Sequence, residues 1–202
     1  MLENLQSTQE SESTNSQPTL RKKQSGCLGF VIDTAETILL ALVLFFAINA
    51  LSARVRVENV SMKPTLQPGD FLLVNRVAYK LGEPSIGDII VFHAPGVSDL
   101  DYIKRIIGLP GDEVRVSEGV VYVNDQPLYE SYIAASPNYL GEWIVPPDKY
   151  FVLGDNRNNS SDSHLWGFVP QDDIVGRALL IYWPLSEATL LNSPDVVQAV
   201  QD

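Results

Sequence analysis

The 202-residue sequence is poor in the residues that build metal sites and disulfides, with one cysteine, Cys27, and two histidines, His93 and His164. A single cysteine cannot form an intramolecular disulfide, and two histidines far apart in sequence give no zinc-binding pattern. The scarcity of histidine also leaves only two candidate bases for a Ser/His/Asp triad. We therefore expect no metal ion and no other cofactor.

Basic residues are also scarce. The chain has 14 Lys and Arg residues against 25 Asp and Glu residues, which gives a formal net charge of -11 and a pI near 4.5. Binding to nucleic acid depends on a surface of Lys and Arg that neutralises phosphates, and an acidic surface repels them. This composition argues against nucleic acid as a partner.

One segment is apolar enough to cross a membrane. Residues 1–29 are mostly polar and lack apolar periodicity, which is typical of a disordered tail. Residues 30–53 are apolar, with Asp33 and Glu36 near one end, and have the length of a membrane-spanning helix. We interpret this helix as an uncleaved signal anchor, because no Ala-x-Ala pair stands at its end. Residues 54–202 have the length of one ordinary domain.

The segment after the anchor has the pattern of β structure. Short runs of β-branched and aromatic residues alternate with Gly-Asp and Pro-Gly turns. Their tight spacing favours antiparallel hairpins, so we predict a mainly β fold with an antiparallel sheet or coiled barrel. Residues 186–202 are expected to form a surface helix or a frayed tail. The predicted strands are 55–60, 71–77, 89–92, 102–107, 113–116, 120–123, 150–153 and 174–183.

Ser61, a few residues beyond the anchor, is a candidate nucleophile near a membrane surface. It lacks the Gly-x-Ser-x-Gly pattern of an α/β hydrolase, and Pro64 stands where a Ser-x-x-Lys motif would place its lysine. A lysine elsewhere can serve as the base if desolvation lowers its pKa. Lys104 lies in a predicted strand with apolar flanks and is the candidate, although a strand lysine can also simply cover a sheet surface. Lys63 is less suited, because the residue before proline is held extended.

Four segments in series after an apolar anchor carry a family resemblance. Over about residues 30–183 the sequence resembles type I signal peptidases. The segments are Ser61-Met62-x-Pro64-Thr65-Leu66, Gly87-Asp88-Ile89-Ile90-Val91-Phe92, Tyr102-Ile103-Lys104-Arg105 and Gly154-Asp155-Asn156-Arg157-Asn158-Asn159-Ser160-x-Asp162-Ser163.

The resemblance implies a membrane-bound serine endopeptidase that removes signal peptides from exported precursors and cleaves after small residues, in an Ala-x-Ala pattern. Ser61 matches the nucleophile and Lys104 the general base of a Ser/Lys dyad. Ser160 matches a serine that hydrogen-bonds this lysine in the family. The residues matching those that brace the site are Asp155, Arg157 and Asp162.

The resemblance also indicates residues for the oxyanion and the substrate. The backbone N–H of Ser61 would stabilise the oxyanion, and Asn59 occupies a position where some members have a hydroxyl donor. His164 stands where the family often has arginine, so one ion pair that supports the site in the family is in doubt here. The residues expected to line or flank the substrate pocket, unless they are ordinary core, are Val57, Val60, Tyr102 and Ile103.

The expected partners are precursors that carry signal peptides and the membrane lipid itself. Basic residues flank the anchor on both sides and favour a cytoplasmic amino terminus only slightly. Because of the resemblance, we expect a single-pass protein with an extracytoplasmic catalytic domain. Its membrane would be the plasma or inner membrane, with the thylakoid membrane as an alternative.

Two other functional classes fit parts of the sequence. A self-cleaving repressor with a Ser/Lys dyad has a related β fold, but it needs a DNA-binding domain that residues 1–29 cannot form. A catalytically inactive, membrane-tethered β module would bind partners instead. In that case Ser61 and Lys104 need not lie close together.

Overall fold

The computed structural model describes residues 27–96 and 100–191. The expected disordered tail lies outside these residues up to position 26, and so does the expected carboxyl-terminal tail from position 192. The described chain begins with a long helix and continues as a mainly antiparallel β domain. The predicted fold class is thereby confirmed.

Helix α1 spans Cys27–Leu51, and its Gly29–Leu51 portion has a mean hydropathy of 2.2. These 23 residues are long and apolar enough to cross a membrane, since a helix of that size extends about 34 Å. The helix begins before the expected position 30 and ends before position 53. It ends because Ser52 and Ala53 pair with Asn75 and Val74 of the strand Phe71–Asn75, and the Ser52 hydroxyl donates to the Ile48 carbonyl.

The described strands form two sheets in which neighbouring strands are antiparallel. The strands are β1 (Ser52–Arg56), β2 (Phe71–Asn75), β3 (Ile89–His93), β4 (Asp101–Gly108), β5 (Glu113–Ser117), β6 (Val120–Val123), β7 (Gln126–Pro127), β8 (Gly141–Ile144), β9 (Lys149–Leu153), β10 (Val169–Pro170), β11 (Ile174–Trp183) and β12 (Thr189–Leu190). In the larger sheet the order is β1-β2-β11-β3-β4-β9-β10, and β12 also pairs with β11. In the smaller sheet the order is β7-β6-β5-β8.

Strand β3 is buried on both faces, which makes it the centre of the larger sheet. Ile89 and Val91 belong to one apolar cluster with residues of β2 and β11, whereas Ile90 and Phe92 belong to another with residues of β4 and β9. A third cluster joins the ends of β4 and β9 to the smaller sheet. A continuous apolar run is what a strand covered on both faces requires.

Several predicted elements were wrong in their bounds. The first predicted strand, 55–60, ends at Arg56, because the Val57 N–H donates to the Asp70 carbonyl and the chain then turns. Residues Thr189 and Leu190 form a strand where a helix or frayed tail was expected. Several short elements were not predicted from the sequence. They are β7, β8, β10, α2 (Ala78–Leu81), α3 (Ser163–Trp166) and the 3₁₀ helices Gln171–Asp173 and Leu185–Glu187.

Candidate active site

Ser61 begins a turn that covers residues 61–65. Met62 and Leu66 of this segment are buried in the cluster that covers one face of the larger sheet. The Leu66 N–H donates to the Met62 carbonyl at 2.9 Å, which closes the turn. Two buried apolar side chains therefore fix the backbone, while Ser61 stays half-buried and lines a cleft.

Lys104 lies on β4 between β3 and β9 and is only 4% exposed. Its Nζ lies 2.8 Å from Ser61 Oγ and 3.2 Å from the Ile103 carbonyl oxygen. A neutral amine has two N–H groups and one lone pair. It can therefore donate to the Ile103 carbonyl and at the same time accept the Ser61 hydroxyl proton.

Burial lowers the pKa of Lys104 from 10.5 to about 8. Removing the ammonium from water favours the neutral amine, and the carboxylates of Asp162 and Asp155 act in the opposite direction. The burial effect is the larger one. About one tenth of this lysine is consequently a free base at pH 7.

Gly154 follows β9 and begins the loop that contacts the Ser61 carbonyl. Its N–H donates to Asp162 Oδ2 at 2.9 Å, and its carbonyl accepts from Arg157 Nε at 3.1 Å. A Cβ at this position would collide with Ser160 Oγ and with the carbonyl oxygen of Ser61. Only glycine allows the loop to approach the nucleophile so closely.

Asp155 is fully buried and is paired with Arg105, the residue after Lys104. Arg105 donates from Nε to Oδ1 at 2.9 Å and from NH2 to Oδ2 at 2.7 Å, and its NH1 donates to the Gly87 carbonyl. The Thr65 hydroxyl donates to the same carboxylate at 2.5 Å. Asp155 therefore links strand β4 to the turn that carries Ser61.

Arg157 is buried and forms a two-point ion pair with Glu130, at 2.6 and 2.5 Å. Tyr132 donates its hydroxyl to Glu130 and presents its ring to Arg105 at 4.0 Å. Burial raises the pKa of Tyr132, so its hydroxyl stays protonated and remains a donor. These contacts hold the loop after Gly154 in place.

His164 contacts Asp162, although it stands at a position where the resembled family often has arginine. Its Nδ1 lies 2.6 Å from Asp162 Oδ1, and its ring stacks on Tyr139 with the ring centres 4.0 Å apart. Asp162 also accepts the His164 N–H and so caps α3. The substitution therefore leaves Asp162 with a side-chain partner.

Ser160 does not make the hydrogen bond that the resemblance implied. Its Oγ is buried without a hydrogen-bond partner among the described residues, and Lys104 Nζ contacts Ser61 and the Ile103 carbonyl instead. Ser160 nevertheless lies against Gly154. The structure does not contain the hydrogen bond between Ser160 and Lys104, which therefore stays a prediction.

A cleft of about 530 Å³ opens beside the dyad. Val57 lines the cleft, but it is only 3% exposed and also belongs to the apolar core. It therefore fits both alternatives, a pocket residue and an ordinary core residue. The exposed Asn59 lies on the same wall as Ser61. The predicted site residues that line the cleft are Val57, Asn59, Val60, Ser61, Tyr102, Ile103 and Lys104.

Sequence reasoning missed several residues that organise the site. Arg105 could have been found, because a charged residue inside an apolar strand requires a buried partner. Glu130 belongs to none of the motifs, so nothing marked it as the partner of Arg157. Thr65 and Asn156 belong to two of the motifs, but no sequence pattern indicated what they contact. Within the described residues no group of His, Cys, Asp and Glu is arranged to hold a metal ion.

A serine hydroxyl 2.8 Å from a buried amine, on an antiparallel β domain, has the geometry that a serine hydrolase with lysine in the usual place of histidine would need. Comparison with known proteins then gives the family. Residues 31–183 match the family described as "Signal peptidase, peptidase S26", and the chain belongs to this family. This membership favours a peptidase over both alternatives that the sequence left open.

Individual relatives agree with the family match. A probable signal peptidase I-2 of Synechocystis sp. is 45% identical over 91% of this chain and 87% of its own length. Thylakoidal processing peptidase 1 of Arabidopsis thaliana is 40% identical over 70% of this chain and 45% of its own length. The chain in a crystal structure of a signal peptidase I from Enterococcus faecalis has 35% sequence identity to this chain. The superposition covers 48% of this chain and 97% of that one, with a TM-score of 0.44. The apolar helix α1 fits a membrane-anchored protein.

Proposed function

We propose that this signal peptidase removes signal peptides from precursor proteins with Ser61 as nucleophile and Lys104 as general base. The observation that carries the proposal is the 2.8 Å separation of Lys104 Nζ and Ser61 Oγ, which lies within reach for direct proton transfer. Cleavage of a precursor by Ser61→Ala and Lys104→Ala variants tests it.

In the acylation step the neutral Lys104 amine takes the hydroxyl proton as Ser61 Oγ attacks the scissile carbonyl. The ammonium that forms then protonates the leaving amine, and an acyl-enzyme remains. In the second step Lys104 removes a proton from water as the water oxygen attacks the acyl carbon. The ester bond to Ser61 Oγ then breaks, and the Lys104 ammonium returns the proton to Ser61 Oγ. The Ile103 carbonyl holds the amine in position throughout, because it accepts one of its N–H groups.

The developing oxyanion needs donors beside Ser61. The Ser61 N–H is the first candidate, since no hydrogen bond within the described residues uses it. Asn59 lines the same cleft and can supply a side-chain amide as a second donor. Ser160, Asp155, Arg157 and Asp162 support the site through the loop that contacts the Ser61 carbonyl.

The cleft beside the dyad is the proposed substrate site. Val57, Val60, Tyr102 and Ile103 give it an apolar part, and the charged Arg56, Glu58 and Asp101 line the rest together with other polar residues. Apolar walls suit small side chains at the first and third residues before the cut, which is the Ala-x-Ala pattern expected for these substrates. The reaction uses a serine and a lysine and needs neither a metal ion nor a cofactor.

We place the protein in the membrane by α1, with residues 1–29 as a cytoplasmic tail and the β domain on the opposite side. In this arrangement the membrane lipid is a permanent partner, and the membrane is the cell membrane or the thylakoid membrane. The domain would begin at Ser52, where α1 gives way to β1.

The pKa of Lys104 predicts how activity depends on pH. The active form is the neutral amine, so kcat/KM should rise with pH, with a midpoint near pH 8. At pH 7 about one tenth of Lys104 is neutral, so the rate there should be about tenfold below the alkaline plateau. Steady-state cleavage of a precursor between pH 6 and 10 measures this. A midpoint near 10.5 would contradict the burial of the amine.

Adding one methyl group at Gly154 should impair catalysis. The new Cβ of Gly154→Ala would push apart the Ser61 carbonyl and Ser160, which moves the nucleophile away from Lys104. A displacement of about 1 Å in a catalytic group can reduce the rate about 10²-fold, and kcat should fall by that order. Gly82→Ala is the matched control, because its Cβ would lie 3.5 Å from the nearest atom. Equal activity of the two variants would contradict the crowding at Gly154.

A further inference from the structure

We infer that Asn156 is a positioning residue that aims the Ser61 N–H at the oxyanion, an inference that rests on the proposed role of Ser61. Asn156 makes two hydrogen bonds to the backbone around the nucleophile. Its side-chain Nδ2 donates to the Val60 carbonyl at 3.1 Å, and its backbone N–H donates to the Ser61 carbonyl at 2.9 Å.

The first of these bonds acts on the peptide unit that contains the Ser61 N–H. The Val60 carbonyl and the Ser61 N–H belong to the same planar group, and in a trans peptide they point in opposite directions. The Val60–Ser61 bond is trans, since the cis bonds among the described residues are Lys63–Pro64 and Trp183–Pro184. Fixing the carbonyl from one side therefore fixes the direction of the N–H on the other.

The two hydrogen bonds restrain consecutive peptide units. The backbone bond from Asn156 holds the Ser61 carbonyl, and the lack of a Cβ at Gly154 lets the loop come close enough to make it. The side-chain bond adds the restraint on the unit before the nucleophile. The Val60 carbonyl also accepts the Lys63 N–H at 3.1 Å, which restrains the unit within its own turn. The Asn156 bond is the one that ties this unit to the loop after Gly154, because the exposed Val60 side chain does not anchor the backbone by packing.

The geometry matters most in the transition state. Negative charge develops on the carbonyl oxygen of the substrate only as Ser61 Oγ forms its bond, so a misdirected N–H weakens the transition state more than the bound substrate. Loss of the Asn156 amide should therefore lower kcat and leave KM almost unchanged. The Lys104 amine is not touched, so the pH midpoint should also stay the same.

The test compares full-length Asn156→Ala and Asn156→Asp with the wild-type enzyme in detergent, using precursor cleavage. Aspartate keeps the size of the side chain and removes the donor. We expect kcat to fall about 10- to 100-fold in both variants, by comparison with the loss of a whole oxyanion donor. KM should stay within about twofold, and the midpoint of the pH profile should not move in Asn156→Ala. The added carboxylate of Asn156→Asp should raise the midpoint, because the nearby carboxylates of Asp162 and Asp155 already raise the pKa of Lys104.

Asn158→Ala is the matched control in the same loop, since the Asn158 side chain bonds to Ser136 and Asn138 and not to the nucleophile turn. Its kcat should remain within about twofold of wild type. An equal kcat for Asn156→Ala and Asn158→Ala would overturn the inference. So would a rise in KM without loss of kcat, a shifted pH midpoint in Asn156→Ala, or loss of folded structure by circular dichroism in both Asn156 variants.

A peptide pair provides a readout that a purely structural role would not move. In a peptide aldehyde ending in Ala-x-Ala, Ser61 Oγ adds to the aldehyde carbon, the π electrons move to the oxygen, and the hydroxyl proton passes to Lys104. The matching peptide alcohol binds without this step. Asn156→Ala should weaken the aldehyde by the factor lost in kcat and leave the alcohol unchanged. Equal weakening of both would overturn the inference, whereas failure of the proposed function would appear separately, as cleavage that survives Ser61→Ala.

Discussion

Replacing Ser61 with alanine should abolish precursor cleavage, with a loss of about 10⁴-fold or more in kcat. The reason is chemical, because no other atom at the same position can form the acyl-enzyme. Lys104→Ala should cause a loss of the same order, since an unassisted serine hydroxyl is a weak nucleophile near neutral pH. Arginine cannot replace Lys104 as a base, because its guanidinium stays protonated.

The two residues should behave as one catalytic unit. Removal of the second member after the first should cost little more, as happens in other groups of residues that act together. Cleavage of a full-length precursor, followed by gel electrophoresis over several hours, measures losses of this size. The double variant Ser61→Ala, Lys104→Ala should therefore retain about the same residual activity as either single variant.

Lys63→Ala is the control for loss of a lysine near the nucleophile. Lys63 follows Ser61 by two residues, and the proposed reaction gives it no role. Its activity should stay within about twofold of wild type. Full activity in Ser61→Ala or in Lys104→Ala would contradict the dyad, and a large loss in Lys63→Ala would point to the wrong lysine.

The sequence predicted that Ser61 and Lys104 lie together because four segments in series resemble one family, whereas the local signal of either residue alone was insufficient. Ser61 stands just beyond an apolar anchor, and Lys104 interrupts an apolar strand, where an unpaired charge would be unfavourable. The strands 120–123 and 174–183 were predicted with the bounds that the structure has. Long runs of β-branched and aromatic residues between turns leave little choice of secondary structure.

The parts that escaped prediction depend on contacts distant in sequence. Glu130 pairs with Arg157 across 27 positions, and only the folded chain brings them together. The two-residue strands β7, β10 and β12 are too short to show a period in the sequence. The absent bond between Ser160 and Lys104 concerns the direction of one hydroxyl, which no sequence pattern specifies.

The charged residues around the dyad have a structural cost as well as a role. Arg105 and Asp155 have side chains that are 2% and 0% exposed, so both ions have lost their water. Each is stable there only because the other is present. Asp162 and Asp155 also raise the pKa of Lys104 against the larger effect of burial. The carboxylate of Asp155 that links strand β4 to the Ser61 turn therefore also lowers the fraction of free amine.

Asp155→Ala should therefore destabilise the protein strongly. The substitution leaves the Arg105 guanidinium buried without its counter-ion, which costs about 3–5 kcal/mol in free energy of unfolding. It also removes the acceptor of the Thr65 hydroxyl. Urea unfolding of the full-length protein in detergent, followed by tryptophan fluorescence, measures the change.

A matched substitution separates this effect from the loss of any ion pair. Asp125 pairs with Arg115 at 3.1 Å, but its side chain is 78% exposed, so Asp125→Ala should cost less than about 1 kcal/mol. Replacing both buried ions, as in Arg105→Met with Asp155→Leu, should cost less than Asp155→Ala alone, because no charge is left unpaired. If Asp155→Ala and Asp125→Ala proved equally stable, the Arg105–Asp155 pair would not be the support that this part of the site requires.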